Sequence, residues 1–134
     1  MIIKIIPCLS DNYSYVIHDK ETNTISIVDP SEFEACDKVI NKYKKLDFIL
    51  NTHHHVDHVG ANLELKKKYR SKILGSDSDK DRIPGIDILL KENQKEKIGN
   101  LEFEVIFVPG HTKGHIAFFL LRKKLHLQEI HCFH

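Results

Sequence analysis

The sequence predicts one domain of the α/β class, in which helices pack on layered β-sheets. Two observations favour this fold class. Short runs of β-branched and aromatic residues, separated by turn residues, alternate with two segments whose apolar residues recur at helical spacing. The two segments rich in histidine, THHHVDHVG and PGHTKGH, each follow a predicted strand. Functional groups of layered α/β folds collect in the loops after strands, so we expect the function there.

The chain opens with three predicted strands. Met1 to Pro7, Ser14 to Asp19 and Thr24 to Asp29 are separated by turn residues, which predicts an antiparallel series. Ser31 is the expected N-cap of a helix that ends near Lys45, because the apolar residues between them share one helical face.

The remaining elements surround the two histidine segments. Phe48 to Leu50 predicts a short buried strand that leads into the first segment, and Ile116 to Leu121 predicts an apolar strand after the second. Three more elements are expected between them: a helix over Ala61 to Tyr69, a strand over Ile73 to Gly75 and a half-exposed strand over Leu101 to Val108. Residues 76–84 are polar and predict a loop.

Composition narrows the class of protein. The 20 Lys and Arg residues are matched by 19 Asp and Glu, which argues against a basic surface for nucleic acid. No run reaches the roughly 18 apolar residues of a membrane span, and the N-terminus lacks the features of a signal peptide. The three cysteines form no CxxC pair, which is typical of free thiols in a reducing compartment. We expect a cytoplasmic protein with no nucleic-acid or membrane partner, and the oligomeric state stays open.

The first histidine segment carries four candidate metal ligands. His53, His55 and Asp57 alternate, so in an extended chain they project to the same side. His58 follows at once and can turn toward an adjacent position. Imidazole and carboxylate are ligands that suit zinc and neighbouring transition metals.

The second histidine segment adds His111, which follows a Pro-Gly turn. With His53 and His55 it completes a three-histidine set with an open position, the usual hydrolytic arrangement. A lone histidine is more often a surface or core residue, but H-x-H-x-D-H after an apolar strand is hard to explain by packing. The other three are expected to be structural, to support the ligands, or to lie on the surface: His18, His54 and His115.

H-x-H-x-D-H resembles the signature of the metallo-β-lactamase superfamily. Within it, the chain is similar to the glyoxalase II (hydroxyacylglutathione hydrolase) family. IIPCLSDNYSYVI resembles the opening P-x-L-x-D-N-Y, IVDPSE the VDP turn, THHHVDHVGAN the family's THHHxDHxGGN, and PGHTKGHIAFF the region of the later ligand. The resemblance covers Met1 to about Leu121, with Ala61 where the family usually has glycine. It implies the N-terminal part of an αββα sandwich with a dinuclear metal site at the sheet edges.

The resemblance also implies a ligand set and a reaction. His53, His55 and His111 would hold the first metal, and Asp57 and His58 the second. The expected metal is zinc, two ions in the family, with iron and manganese as alternatives. A bound metal lowers the pKa of a water molecule toward neutrality for attack on a thioester carbonyl and stabilises the oxyanion. No side chain is assigned a further catalytic role.

In the family the substrate is a glutathione thioester. S-D-lactoylglutathione is hydrolysed to glutathione and D-lactate, a step of methylglyoxal detoxification. Asp29, in the VDP turn, is expected either to support a metal ligand or to shape the turn alone.

The end of the chain departs from the family. Residues 1–121 predict a partial domain of this fold, and 122–134 (RKKLHLQEIHCFH) predict an aberrant, disordered tail. The family's bridging aspartate, in a segment like FTGDTLF, and its later histidine do not appear. One possible coding sequence for HLQEIHCFH encodes FTGDTLFS in a shifted frame. We therefore hypothesise a frameshift just upstream, in an adenine run encoding Arg122 to Lys124, which the nucleotide sequence of the gene tests.

Three functions stay open from the sequence. One is a metal-dependent hydroxyacylglutathione thioesterase. The second is a truncated, catalytically inactive remnant that binds at most one metal. The sequence favours the first for the ancestry of the chain and the second for this polypeptide, whose own activity stays uncertain. The third is a nuclease or a lactamase of the same superfamily. The near-neutral charge argues against a nuclease, and the DNY and VDP segments favour the thioesterase branch.

Overall fold

The computed structural model describes residues 1–9, 12–108, 114–121 and 127–130. Its strands are β1 (Ile2–Cys8), β2 (Asn12–Asp19), β3 (Thr24–Val28), β4 (Phe48–Leu50), β5 (Lys72–Ser76), β6 (Ile88–Leu90), β7 (Lys95–Ile98), β8 (Leu101–Phe107), β9 (Ile116–Leu121) and β10 (Leu127–Ile130). Its helices are α1 (Phe33–Ile40), α2 (Val56–Val59) and α3 (Asn62–Tyr69), with a 3-10 turn over Asp77–Asp79. Among the described helices, none has the length and apolar character that a membrane crossing needs.

The larger sheet has the strand order β1-β2-β3-β4-β5-β6. The first three strands pair antiparallel, as predicted. Strands β3 to β6 pair in parallel, so the loops that follow them emerge at one edge of the sheet. Ligand sites of open α/β sheets lie at this carboxyl edge. The first histidine segment follows β4 and therefore lies there.

The smaller sheet has the order β10-β9-β8-β7 and is antiparallel throughout. It packs on one face of the larger sheet, and the helices cover the other. Successive residues of the buried strands therefore enter different cores. Ile27 and Ile49 pack with the helices, whereas Val28 and Leu50 pack with the smaller sheet. This helix, sheet, sheet order confirms the α/β fold class and forms three layers of the αββα sandwich.

The first predicted helix differs from the observed one. Helix α1 spans Phe33–Ile40 and its N-cap residue is Glu32, so the prediction of a cap at Ser31 and an end near Lys45 is wrong. The Ser31 hydroxyl instead donates to the carbonyl oxygen of Asp29, 3.4 Å away. A serine side chain can bond to nearby backbone in a turn as readily as it caps a helix.

Apart from β10 and the 3-10 turn, three elements are absent from the sequence prediction: α2, β6 and β7. Strands β6 and β7 lie at sheet edges, and β7 reads KEKI, three of whose four residues are charged. Edge strands need only backbone pairing and often carry charged side chains, so they give a weak apolar signal. Helix α2 ends the extended conformation expected for the whole first histidine segment, because helical geometry begins at Val56.

The tail also differs in part from its prediction. The expectation of a disordered tail is wrong for Leu127–Ile130, which form β10 and pair antiparallel with β9. An exposed strand edge offers backbone donors and acceptors to any extended segment, whatever its sequence. Residues 122–126 and 131–134, including Cys132, lie outside the described residues. The boundary at residue 121 and the frameshift stay predictions.

Candidate metal centre

Three neighbouring strands place the polar residues of this centre at one edge. Asp29 follows β3, the segment from Asn51 to His58 follows β4, and Asp79 closes the turn after β5. Backbone bonds extend the sheet pairing into these loops: the Asp29 N–H donates to the Leu50 carbonyl oxygen at 2.9 Å, and the Asn51 N–H donates to that of Leu74 at 2.9 Å. The loops therefore begin from fixed positions.

Asp29 is a fully buried carboxylate with three hydrogen bonds. The Thr52 N–H donates to its Oδ1 at 2.8 Å, and the Thr52 hydroxyl donates to its Oδ2. His58 Nδ1 lies 2.9 Å from the same Oδ2. Asp29 has a φ of 50°, in the left-handed region that aspartate tolerates better than most residues. It thus both shapes the turn and supports a predicted ligand.

These bonds assign the protons on two imidazole rings. A carboxylate only accepts, so His58 Nδ1 carries the proton and its lone pair is on Nε2. Thr52 gives its single proton to Asp29, so Thr52 Oγ1 accepts from His53 Nδ1, 3.0 Å away. The lone pair of His53 is therefore also on Nε2. Holding one ring nitrogen in this way is how proteins orient the other toward a metal.

Burial keeps the His53 imidazole neutral. Its side chain is 1% exposed, and its ring centroid is 3.9 Å from that of His58. Burial and then the charge of His58 lower the pKa of His53 from 6.5 to about 3. Neutral imidazole is the form that binds metals, so His53 is ready as a ligand near neutral pH.

Asp57 and His58 face each other in α2. Asn12 orients Asp57 by donating its side-chain amide to the Asp57 carbonyl oxygen and to Oδ2, each at 3.0 Å. Asp57 Oδ2 is 3.6 Å from His58 Nε2. Two ligands bound at about 2.1 Å to a tetrahedral ion are about 3.4 Å apart. A carboxylate oxygen and a nitrogen lone pair repel at this distance, and a cation between them would remove that repulsion, so the pair fits a metal ion.

Gly60 allows α2 to lie close to the turn after β3. A Cβ atom at this position would overlap the carbonyl oxygen of Ser31. The next residue, Ala61, donates its N–H to the Pro30 carbonyl oxygen at 3.0 Å. These contacts hold the helix that carries Asp57 against the loop that carries Asp29.

The structure gathers four of the five predicted ligands. Two groups of side chains have ligand atoms within 4.8 Å of one another: His53, His55 and Asp57 in one, and Asp29, His53 and His58 in the other. Both oxygens of Asp29 already accept hydrogen bonds, so we assign Asp29 to support the ligands. The fifth predicted ligand, His111, lies outside the described residues.

The other histidines lie around this cluster. His54 Nδ1 is 3.2 Å from Asp79 Oδ2, and the buried ring of His115 is 4.6 Å from that of His53. His18 is half-buried on β2, edge-on to Tyr43. Three other residues contact these histidines or ligands, and the sequence pattern indicated no role for them: Asn12, Thr52 and Asp79. Asn12 and Thr52 lie within the DNY and THHH motifs, and that position could have marked them. Asp79 lies in a polar loop without a motif, so nothing in the sequence marked it.

The layered fold and the histidine–aspartate cluster at its carboxyl edge define an α/β protein with side chains that could hold a metal ion. The sequence profile of the Metallo-beta-lactamase superfamily matches residues 12–125. The chain belongs to this superfamily, as its motifs predicted.

The most similar curated relatives carry one name. The chain is 47% identical over 125 residues to "Hydroxyacylglutathione hydrolase" of Pelagibacter ubique, covering 92% of this chain and 52% of that protein. It is 45% identical over 121 residues to the protein of the same name from Rippkaea orientalis, covering 89% and 47%. The chain therefore spans about half the length of the curated relatives it matches.

Solved structures agree on the fold. ETHE1 from Myxococcus xanthus superposes with a TM-score of 0.78 at 26% identity, over 90% of this chain and 54% of that one. BJP-1, a subclass B3 metallo-beta-lactamase of Bradyrhizobium japonicum, gives 0.79 at 20% identity, over 98% and 58%. At that identity the second match shows the fold alone. The prediction of the N-terminal part of the metallo-β-lactamase fold is confirmed.

Proposed function

We propose that this chain carries the metal-binding part of a thioester hydrolase that converts S-D-lactoylglutathione to glutathione and D-lactate. The observation that carries the proposal is the pair Asp57 Oδ2 and His58 Nε2, two acceptor atoms 3.6 Å apart. The names of the curated relatives support the choice of a glutathione thioester. A cytoplasmic location and a role in methylglyoxal detoxification belong to the same proposal.

The ligand set in this proposal is the one that the resemblance implies. His53 and His55, with His111, would hold one zinc ion, and Asp57 and His58 would hold a second; iron and manganese are alternatives with similar ligand preferences. A bound metal ion would lower the pKa of a water molecule and polarise the thioester carbonyl.

The chain's own contribution is orientation and charge. Asp29 and Thr52 fix the rings of His53 and His58, so that neither ring has to reorient when a ligand atom is needed. Asn12 fixes Asp57 from β2 through two bonds. This preorganisation is the part of hydrolytic catalysis that the described residues can supply.

A second candidate is metal binding without hydrolysis, by a remnant that takes up at most one ion. The four gathered ligands and their supports are enough for binding, whereas the relatives named as hydrolases are about twice as long as the matched region. The two candidates differ in turnover and in metal content.

One preparation tests both candidates. The full chain is purified under reducing conditions, bound metal is measured by elemental analysis, and hydrolysis of S-D-lactoylglutathione is followed on the same sample. Two metal ions per chain with turnover is the expected result. His58→Gln should abolish turnover and lower the metal content, whereas His18→Gln, on β2, should change neither. One ion or none, without turnover, would contradict the first candidate and support the second, the remnant that takes up at most one ion.

A further inference from the structure

We propose that Asp79 is a positioning residue that holds His54 of the first histidine segment against Gly114, next to His115, and thereby sets the geometry of the metal site. The inference rests on the metal binding in the proposed function, but not on thioester hydrolysis. Asp79 lies in the polar loop for which the sequence predicted no function.

Asp79 is fixed in position by hydrogen bonds within its own turn, independently of its contacts with the histidines. It closes the 3-10 turn after β5, where the Ser76 hydroxyl oxygen accepts the Ser78 N–H at 3.1 Å. Its carbonyl oxygen accepts the Ile83 N–H at 3.0 Å and the Arg82 N–H at 2.9 Å. Its side chain is fully buried. The carboxylate therefore has a fixed position relative to the sheet.

The first contact of Asp79 is with His54, the middle one of three consecutive histidines in the first histidine segment. His54 Nδ1 lies 3.2 Å from Asp79 Oδ2. His54 lies between His53 and His55 in the chain, and its ring centroid is 5.1 Å from that of His55, which in turn is 4.8 Å from that of His53. Fixing the ring of His54 fixes the rotation of the backbone from which the two ligands project.

The second contact is with the backbone of the second histidine segment. A Cβ atom at Gly114 would overlap the carboxyl carbon and both oxygens of Asp79. The backbone can therefore pass this close only where the residue is glycine. Gly114 directly precedes the buried His115, whose ring packs 4.6 Å from that of His53. One carboxylate thus contacts both His54 and Gly114.

The charge of Asp79 is not fully matched by the described residues. Oδ1 accepts no hydrogen bond from them, and its nearest cation is Arg82, whose Nε is 3.7 Å away and whose side chain is half exposed. A buried carboxylate in this state is costly if its only role is packing. The whole carboxyl group is in close contact with the backbone at Gly114, which fits a role in setting the position of the chain that leads to His115.

Cobalt binding to the full chain separates a positioning role from a merely structural one. Co²⁺ is titrated into metal-free protein, and its affinity and visible d–d absorption are recorded beside the urea unfolding curve. Asp79→Ala is expected to lower the affinity about 10- to 100-fold and to change the absorption of the saturated protein. Asp79→Asn keeps the shape and an acceptor toward His54, so it should recover most of the affinity. Asp77→Asn, in the same turn, is the matched control and should leave both unchanged.

Two further variants keep the test decisive. Gly114→Ala should displace the second segment and alter the same absorption. If Asp79→Ala does not fold, His54→Ala removes the same hydrogen bond at its less buried partner. We expect the same loss of affinity and the same change in absorption from it. Wild-type affinity and absorption in Asp79→Ala or His54→Ala, with only lower stability, would overturn the inference. Wild-type Co²⁺ binding without thioester hydrolysis would contradict the proposed function alone, whereas no Co²⁺ binding by the wild type would contradict both.

Discussion

Asp29 and Asp79 are both fully buried carboxylates, and each contacts the first histidine segment, but their surroundings differ. Asp29 accepts three hydrogen bonds, from the Thr52 N–H, the Thr52 hydroxyl and His58. Asp79 has one, with His54, and its other oxygen accepts none from the described residues. All the hydrogen bonds of the Asp29 side chain therefore come from the first histidine segment. The Asp79 side chain, in contrast, contacts both His54 and Gly114.

This difference shows that burial alone does not tell what a carboxylate contributes. Asp29 accepts hydrogen bonds with both oxygens, so replacing it leaves several buried donors without an acceptor. Most of the effect should therefore appear in the free energy of unfolding. Asp79 contacts His54 and Gly114, so replacing it mainly frees these two residues from each other. Most of the effect should therefore appear in the geometry of the metal ligands. Matched variants of the two carboxylates separate these two cases.

Asp29→Asn should have the largest effect on stability. Asparagine has an NH₂ group in place of one carboxylate oxygen, so at least one buried donor of Thr52 or His58 loses its acceptor. The bond to His58 also loses the negative charge of the carboxylate. We expect the free energy of unfolding of the metal-free protein to fall by about 3 kcal/mol. Asp79→Asn, the matched variant, should lower it by about 1 kcal/mol. Urea unfolding measures both, and equal losses would contradict the distinction between the two carboxylates.

Thr52→Val should have an intermediate effect. It keeps the shape of the side chain but removes the hydroxyl that links Asp29 to His53 Nδ1. We expect a loss of about 2 kcal/mol in the free energy of unfolding and a Co²⁺ affinity about tenfold lower, because the ring of His53 loses its orientation. Thr52→Ser keeps the hydroxyl and serves as the control. If Thr52→Val binds Co²⁺ as well as Thr52→Ser, the hydroxyl does not orient His53.

Acidification of the metal-free protein should have the smallest effect, about 1 kcal/mol between pH 7 and pH 5.5. Burial lowers the pKa of His53 from 6.5 to about 3. The unfolded chain therefore binds a proton near pH 6.5 that the folded chain does not bind until about pH 3. Stability present above pH 6.5 is consequently lost as the pH falls.

Unfolding curves at several pH values test this loss. His53→Gln should lack this part of the pH dependence, whereas His18→Gln, with its half-buried ring on β2, should keep it. An unchanged pH dependence in His53→Gln would mean that the folded chain does not hold His53 neutral.

Much of the site could be predicted because its ligands are close in sequence. His53, His55, Asp57 and His58 lie within six residues, directly after a strand that the apolar run Phe48 to Leu50 makes recognisable. Alternation along an extended chain then gives their common side without knowledge of the rest of the fold. The sequence could not show that the extended conformation stops at Val56, because four helical residues give too short a pattern.

The supporting residues could not be predicted in the same way. Asp29 and His58 are 29 residues apart, and His54 and Asp79 are 25 apart. Their contacts exist because β3, β4 and β5 pair in parallel with a fixed register, which brings the loops after them to one edge. Pairing partners and register are properties of the assembled sheet, and a polar loop such as the one holding Asp79 gives no periodic signal.

The sequence by itself therefore determined the α/β class, the buried strands and the identity of the ligand segment, because these follow from local spacing and from the chemistry of imidazole and carboxylate. Only the tertiary structure decided which nitrogen of His53 and of His58 carries the lone pair, and which buried carboxylate contacts both His54 and Gly114. Both depend on hydrogen bonds and close contacts between loops that are distant in the chain and meet only when the parallel strands are paired.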